Sequence, residues 1–206
     1  MNQKDYQHAK ELKRLFMWQA FAMLDFNEID GDYCEFGCAG GTTFCLAYNM
    51  IMNFPAIKRH MYAFDSFQGL PQPGDNERHP KWVRGAMRQS LPDFRAILKA
   101  HGIQHYEIVK GFYSETLPKQ KHPQNIALAY VDCDMYSSTQ QVLEWLSPRL
   151  KHGMILAFDD YFCYSKDGAS GEQKALSELE LKADKFNFVQ YRDIGWGGTS
   201  FIVEKR

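Results

Sequence analysis

Five short, strongly apolar runs recur along the chain at 33–37, 60–64, 106–110, 126–131 and 154–158, and stretches with helical periodicity lie between most of them. Parallel strands need a crossover connection, usually a helix, so this alternation predicts a mostly parallel α/β sheet with helices on both faces. Two further runs, 186–191 and 199–204, have only a loop carrying Gly195, Gly197 and Gly198 between them. A link that short predicts an antiparallel pair at one edge, completing a seven-stranded, Rossmann-like sheet from the five runs and these two. Such an ending is unusual for a dinucleotide-binding domain.

The helical segments carry their own signals. Leu12, Leu15, Phe16 and Met23 repeat near the helical period with lysines between them, so residues 5–26 should form a helix. Gly40-Gly41 leads into a second helix reaching about Asn53, with Thr42 or Thr43 as its N-cap. Residues 91–101 form a third. Ser137 or Ser138 with Gln140 or Gln141 reads as a capping box, and Ser170 with Gln173 opens a helix through Ala183. Residues 66–90 are different, with Pro71, Pro73, Gly74, Pro80 and scattered charges. A structureless segment of that length in a compact domain is usually functional, and here it is a candidate lid over an acceptor. Within it, Trp82 is either a platform for a sugar ring or a pin to the core, and His79 is an auxiliary base or a solvent-exposed residue. The expected organisation is an N-terminal helical segment, 1–30, serving as lid or interface, followed by one catalytic domain, 31–206.

Charge narrows the partners. With 24 basic and 25 acidic residues the net charge is −1, which argues against a nucleic-acid or anionic-membrane surface. The longest charge-free run, 36–57, is long enough to raise a membrane span, but Gly37, Gly40, Gly41 and Pro55 within it fit a strand–turn–helix better. The opening MNQKDYQHAKELKR has no apolar signal region, and the five cysteines form no C-x-x-C pair. Buried, reduced thiols in a cytoplasmic protein are expected. The apolar face of the first helix can pack on its own sheet or on a second subunit, which leaves a homo-oligomer open.

Ligands of such sheets bind beyond the carboxyl ends of the strands. After the first strand comes Glu35-Phe36-Gly37-Cys38-Ala39-Gly40-Gly41, whose glycines either admit a ligand to the backbone or simply make a turn. The pattern is not G-x-G-x-x-G, which disfavours a pyrophosphate cofactor. Asp65, 28 positions after Gly37, ends the second strand, where a carboxylate can accept both ribose hydroxyls or cap a turn. The two in order favour a nucleoside site. Asp132 and Asp134 end one strand, on one face if the backbone stays extended, and Asp159-Asp160 end the next. Neighbouring strands lie about 4.8 Å apart, so these four carboxylates can converge. They repel one another, and a divalent cation removes the conflict, unless they are separate caps and turn residues. All-oxygen ligands favour Mg²⁺, Ca²⁺ or Mn²⁺.

Five ordered segments carry a family resemblance: 31–37 (GDYCEFG), 64–71 (FDSFQGLP), 111–118 (GFYSETLP), 131–139 (VDCDMYSST) and 158–161 (FDDY). They resemble the macrocin-type O-methyltransferases, which use S-adenosylmethionine on a class I methyltransferase fold and methylate sugar hydroxyls of natural products. The antiparallel ending is the one expected of that sheet. The resemblance implies that Glu35 and Gly37 lie against the methionine part of the cofactor, that Gly40 and Thr42 also bind the cofactor, and that Asp65 holds its ribose. Ser66, Gly111, Phe112 and Tyr113 would border the adenosine. Asp132, Asp159 and Asp160 would bind Mg²⁺, and Asp134 would be the general base for a sugar or glycoside hydroxyl. The glycine loop is one residue shorter than the family's usual form. Two other classes compete: a glycosyltransferase using Asp132-Cys133-Asp134 as its metal motif, and a cofactor-binding domain without activity.

Overall fold

The computed structural model describes residues 3–75, 77, 79–166, 168 and 170–206. A long first helix, α1 (Gln3–Phe26), precedes β1 (Asp32–Phe36), α2 (Thr42–Asn53) and β2 (Met61–Asp65). Then come α3 (Leu91–Ala100), β3 (Tyr106–Lys110), the short α4 (Tyr113–Thr116) and β4 (Ile126–Val131). The chain ends with α5 (Tyr136–Leu146), β5 (Ile155–Phe158), α6 (Gly171–Glu180), β6 (Phe186–Ile194) and β7 (Gly198–Lys205). The strands form one seven-stranded sheet in the order β3-β2-β1-β4-β5-β7-β6. The first five are parallel; β7 runs antiparallel to both β5 and β6, as the short final link requires.

Each face of the sheet carries its own core. Tyr33, Tyr130, Leu128 and Ala127 meet Phe16, Phe21 and Leu24 of α1, Phe44 of α2 and Phe94 of α3. On the opposite face Cys34, Phe36, Ala129 and Val131 meet Val142, Leu143 and Leu146 of α5 and Leu176 of α6. All six residues of β4 and all four of β5 are buried, the mark of strands covered on both sides. This explains why the central runs are continuously apolar rather than alternating.

Three helix starts differ from the capping expected from sequence. Gly41, in the left-handed region at φ 70°, caps α2, and neither threonine does. Met135 precedes α5 with no side-chain cap. Its start is satisfied from the 66–90 loop instead: the Glu77 carboxylate accepts from Ser137 N–H at 2.6 Å and from Ser137 Oγ at 3.1 Å. Ser170 does precede α6, but its Oγ accepts from Ser165 N–H, and the helix ends at Glu180 rather than running through Ala183. A nearby turn offered each of these donors or acceptors a partner that local spacing does not reveal.

Candidate active site

The parallel ladder continues past the strand ends and aligns the site. Gly111 N–H donates to Asp65 O, Gly37 N–H to Phe64 O, Asp132 N–H to Phe36 O and Asp159 N–H to Val131 O, at 2.8–3.0 Å. Gly111, Asp65, Gly37, Asp132 and Asp159 therefore stand in one row along the carboxyl edge of the sheet. Gly37 is needed there: at φ 87°, an added Cβ would lie 1.9 Å from the Asp132 carbonyl oxygen.

Two cavities open from this row and share Ala39 and Asp132. The first, about 270 Å³, is lined by Gly37, Asp65, Ser66, Gly111, Phe112, Tyr113, Cys133 and Asp134, and by Leu70, Pro71 and Met87 of the 66–90 loop. The second, about 420 Å³, is lined by Tyr6, Lys10 and Lys13 of α1, by Glu35, Gly40 and Thr42, by Asp159 and Asp160, and by Gly195, Trp196 and Gly197. The residues expected to hold the cofactor thus divide, six in the first cavity and Glu35, Gly40 and Thr42 in the second. The loop expected over an acceptor borders the first cavity, while α1 and the β6–β7 turn border the second. Trp82 is a pin rather than a platform: it is 4% exposed, and its side chain lies beside Asp134. His79 packs on its ring at 4.8 Å between centroids.

Asp65 is already engaged. Its Oδ2 accepts from the N–H groups of Cys38 at 2.8 Å and Ala39 at 3.1 Å, and its Oδ1 from Phe67 N–H at 2.6 Å. A carboxylate has about four acceptor positions, so about one remains for a ligand where the sequence reading allowed two hydroxyls. Asp65 is first the clamp of the 38–39 turn. Glu35 is buried and accepts from the Tyr33 hydroxyl, and burial pushes its carboxyl up to about 8.

The aspartates do converge, though not as simple alternation along a strand suggests. Asp132, Asp134 and Asp160 each present an oxygen within 4.8 Å of the others. Asp134 reaches this position through a left-handed backbone, φ 58°, a conformation aspartate tolerates better than most residues. Asp159 is turned elsewhere: Lys13 Nζ donates to its Oδ2 at 2.7 Å, and the Tyr130 hydroxyl donates to its Oδ1. The structure therefore groups Asp134 with Asp132 and Asp160, and hands Asp159 to α1. Burial and then the neighbouring carboxylates raise the whole group, Asp134 to about 7 and Asp160 to about 6, while the Trp82 side chain pulls Asp134 the other way. Burial, followed by Asp159, holds Asp132 well above the usual carboxylate range. Lys13 is opposed by burial, but Asp159, Asp132 and Asp160 outweigh it and keep the ammonium charged.

Sequence reasoning missed the residue that aligns these tips. Glu172, in the first turn of α6, is fully buried; its Oε1 accepts from Cys133 N–H at 3.0 Å and its Oε2 from Asp160 N–H at 2.9 Å. One carboxylate thus ties the turn after β4 to the turn after β5. In sequence it is only an acidic residue at a helix start, which the helix dipole explains without a site. Lys13 and Tyr130 were equally silent, because their partner lies 146 and 29 positions away.

Comparison with known proteins gives consistent matches. The profile of the Macrocin-O-methyltransferase (TylF) family matches residues 10–179. The 8-demethyl-8-(2,3-dimethoxy-alpha-L-rhamnosyl)-tetracenomycin-C 4'-O-methyltransferase of Streptomyces olivaceus is 28% identical over 141 residues, 65% of this chain and 54% of that protein. The mycinamicin III 3''-O-methyltransferase of Micromonospora griseorubida is 26% identical over 144 residues, covering 65% and 56% of the two chains. The chain spans about half the length of these curated relatives. Among solved structures, the O-methyltransferase NovP superposes with a TM-score of 0.77 at 21% identity, over 96% of this chain and 80% of that one. CalS11, a calicheamicin methyltransferase, gives 0.72 at 24% identity, over 92% and 77%. The fold is that of the class I methyltransferases.

Proposed function

The chain belongs to the Macrocin-O-methyltransferase family, and from that premise we propose that it transfers a methyl group from S-adenosylmethionine to a hydroxyl of a sugar or other small natural-product-like acceptor, with a divalent cation at its aspartates. The observation that carries this reading is the placement of Asp132, Asp134 and Asp160 at the junction of two cavities. One cavity suits a nucleoside, and the other lies between α1 and the β6–β7 turn.

S-adenosylmethionine, when bound, supplies the methyl group as an activated sulfonium. Asp65, Ser66 and Gly111 to Tyr113 would surround its nucleoside end, and Glu35, Gly40 and Thr42 its methionine end across the shared Ala39–Asp132 boundary; Gly37, expected at the methionine end, lines the nucleoside cavity instead. The carboxylate cluster also fits a cation. Oxygens of Asp132, Asp134 and Asp160 lie within 4.8 Å of one another, and Lys13 is the cation set against Asp159, Asp132 and Asp160, so the group calls for more positive charge than one ammonium supplies. Asp132, Asp159 and Asp160 would hold Mg²⁺, which supplies Lewis-acid polarisation of an oxygen ligand; Asp159 would do so by releasing Lys13.

Asp134 would take the acceptor's proton. Its carboxyl, raised to about 7 by burial and then by Asp160, matches a general base working near neutral pH. The Asp65 clamp and the Glu172 tie keep the loops that flank it from drifting, and positioning of this kind accounts for much of the rate in a displacement at a bound methyl group. All five cysteines are free, and four of them are buried, which suits a reducing compartment such as the cytoplasm. Among the described residues, no helix is long and apolar enough to cross a membrane.

The reading is tested by calorimetric binding of S-adenosylhomocysteine and by methyl transfer from labelled S-adenosylmethionine to a panel of methyl glycosides, with and without EDTA. Binding, transfer, loss in EDTA and rescue by Mg²⁺ are expected. Transfer that persists undiminished in EDTA would remove the metal from the reading, and absence of S-adenosylhomocysteine binding would remove the activity.

A further inference from the structure

We infer that Trp196 is the specificity residue on which a pyranose ring of the acceptor stacks, a step that rests on the methyl-transfer reading above. Of the four tryptophans, Trp82 and Trp145 are buried at 4% and 8% exposure and Trp18 is half exposed at 50%, whereas Trp196 is 77% exposed. An indole so exposed adds little to the core, and a large exposed aromatic beside a cavity marks a binding surface. Trp196 lines the larger cavity together with Asp132, Asp159 and Asp160. On the α1 side of the same cavity stands Tyr6, 46% exposed, so two aromatic rings flank the approach to the acids.

The turn that carries Trp196 is built to hold it there. Phe162 N–H donates to Gly197 O at 2.7 Å, fastening the turn to the segment that follows Asp159 and Asp160. A Cβ on Gly198 would lie 2.5 Å from the Phe158 carbonyl oxygen and 2.8 Å from that of Asp159, so only glycine lets the turn press against this strand end. The turn's backbone is thus held, and an aromatic side chain with two χ angles loses little conformational freedom on binding. The C–H-bearing face of a pyranose is apolar and suits an indole, while its ring edge carries the hydroxyls. A sugar stacked on Trp196 would share one cavity with Asp132, Asp159 and Asp160.

The test uses the 206-residue chain with S-adenosylhomocysteine and Mg²⁺ present. Ligand-observed NMR measures affinity for methyl α-L-rhamnopyranoside and methyl β-D-glucopyranoside, and calorimetry measures S-adenosylhomocysteine affinity, for the wild type and for W196A, W196F and W18A. W196A should weaken glycoside binding by about tenfold or more and W196F by no more than about threefold, with W18A unchanged. S-adenosylhomocysteine affinity should be the same in all four proteins, which also shows that the variants fold. Equal glycoside affinity in W196A and the wild type, or no glycoside binding by a wild type that binds S-adenosylhomocysteine, would overturn the assignment alone. A wild type that binds no S-adenosylhomocysteine would overturn the methyl-transfer reading and this inference with it.

Discussion

The two cavities differ in what builds them. The smaller one has strand ends and the turns directly after them on one side, where backbone hydrogen bonds of the sheet ladder hold Asp65, Gly37 and Gly111 in place, and the 66–90 loop on the other. The larger one shares that floor but is closed by α1 and the β6–β7 turn, elements from opposite ends of the chain held by side chains such as Lys13 on Asp159 and the Tyr191 hydroxyl on Gln19 O. A wall made by the sheet tolerates little change in ligand. A wall made by peripheral elements is free to change without disturbing the sheet beneath it.

Four changes would sharpen or break this contrast. Asp134→Asn, at the junction, should lower turnover by about 10²–10⁴-fold while leaving S-adenosylhomocysteine affinity unchanged; steady-state kinetics with calorimetry decides it, and full activity would end the base assignment. Glu172→Gln touches neither cavity lining but turns an amide N–H toward a backbone donor, so it should cost about 1–3 kcal/mol of stability. That variant should also slow turnover without weakening the cofactor; an unchanged melting temperature would show that the two tips align without it. Lys13→Met removes the ammonium from among the acids. Mg²⁺ should then bind about tenfold tighter by calorimetry, because a cation no longer competes for Asp159; weaker binding would show that Lys13 supports the metal site rather than shielding it.

The smallest effect is on pH dependence. Glu35 is raised from 4.5 to about 8, Asp134 from 3.8 to about 7 and Asp160 from 3.8 to about 6. Above the lower values the unfolded chain has lost protons that the folded chain keeps, so stability falls as pH rises toward the upper ones. Without metal, the melting temperature should drop by several degrees between about pH 5 and pH 8, and Glu35→Gln should flatten part of that slope. A melting temperature that rises over the same window would contradict the burial of these acids in neutral form.

Much of the smaller cavity was legible in advance. Strand ends are marked in sequence by where apolar runs stop, so Gly37, Asp65 and Asp132 could be placed on one edge from spacing alone, while Gly111 came from the family resemblance. The details that failed were those decided by distant partners. The Glu77 carboxylate displaced a capping box at Ser137, and the left-handed turn at Asp134 replaced an extended one. Trp82, buried against Asp134, and Glu77, bonded to Ser137, are what set the 66–90 loop along the smaller cavity, and neither contact is visible from spacing.

By itself the sequence determined the sheet, its parallel core with an antiparallel edge, and the row of glycine and aspartate at its carboxyl end. These follow from periodicity and connection length, which are local along the chain. Only the tertiary structure decided that Lys13 reaches Asp159, that Glu172 joins two aspartate-bearing turns, and that Trp196 stands beside them. Those pairings join residues 146, 39 and about 37 positions apart, the last from Asp159 to Trp196, and no local propensity encodes a contact made only when helices fold onto both faces of a sheet.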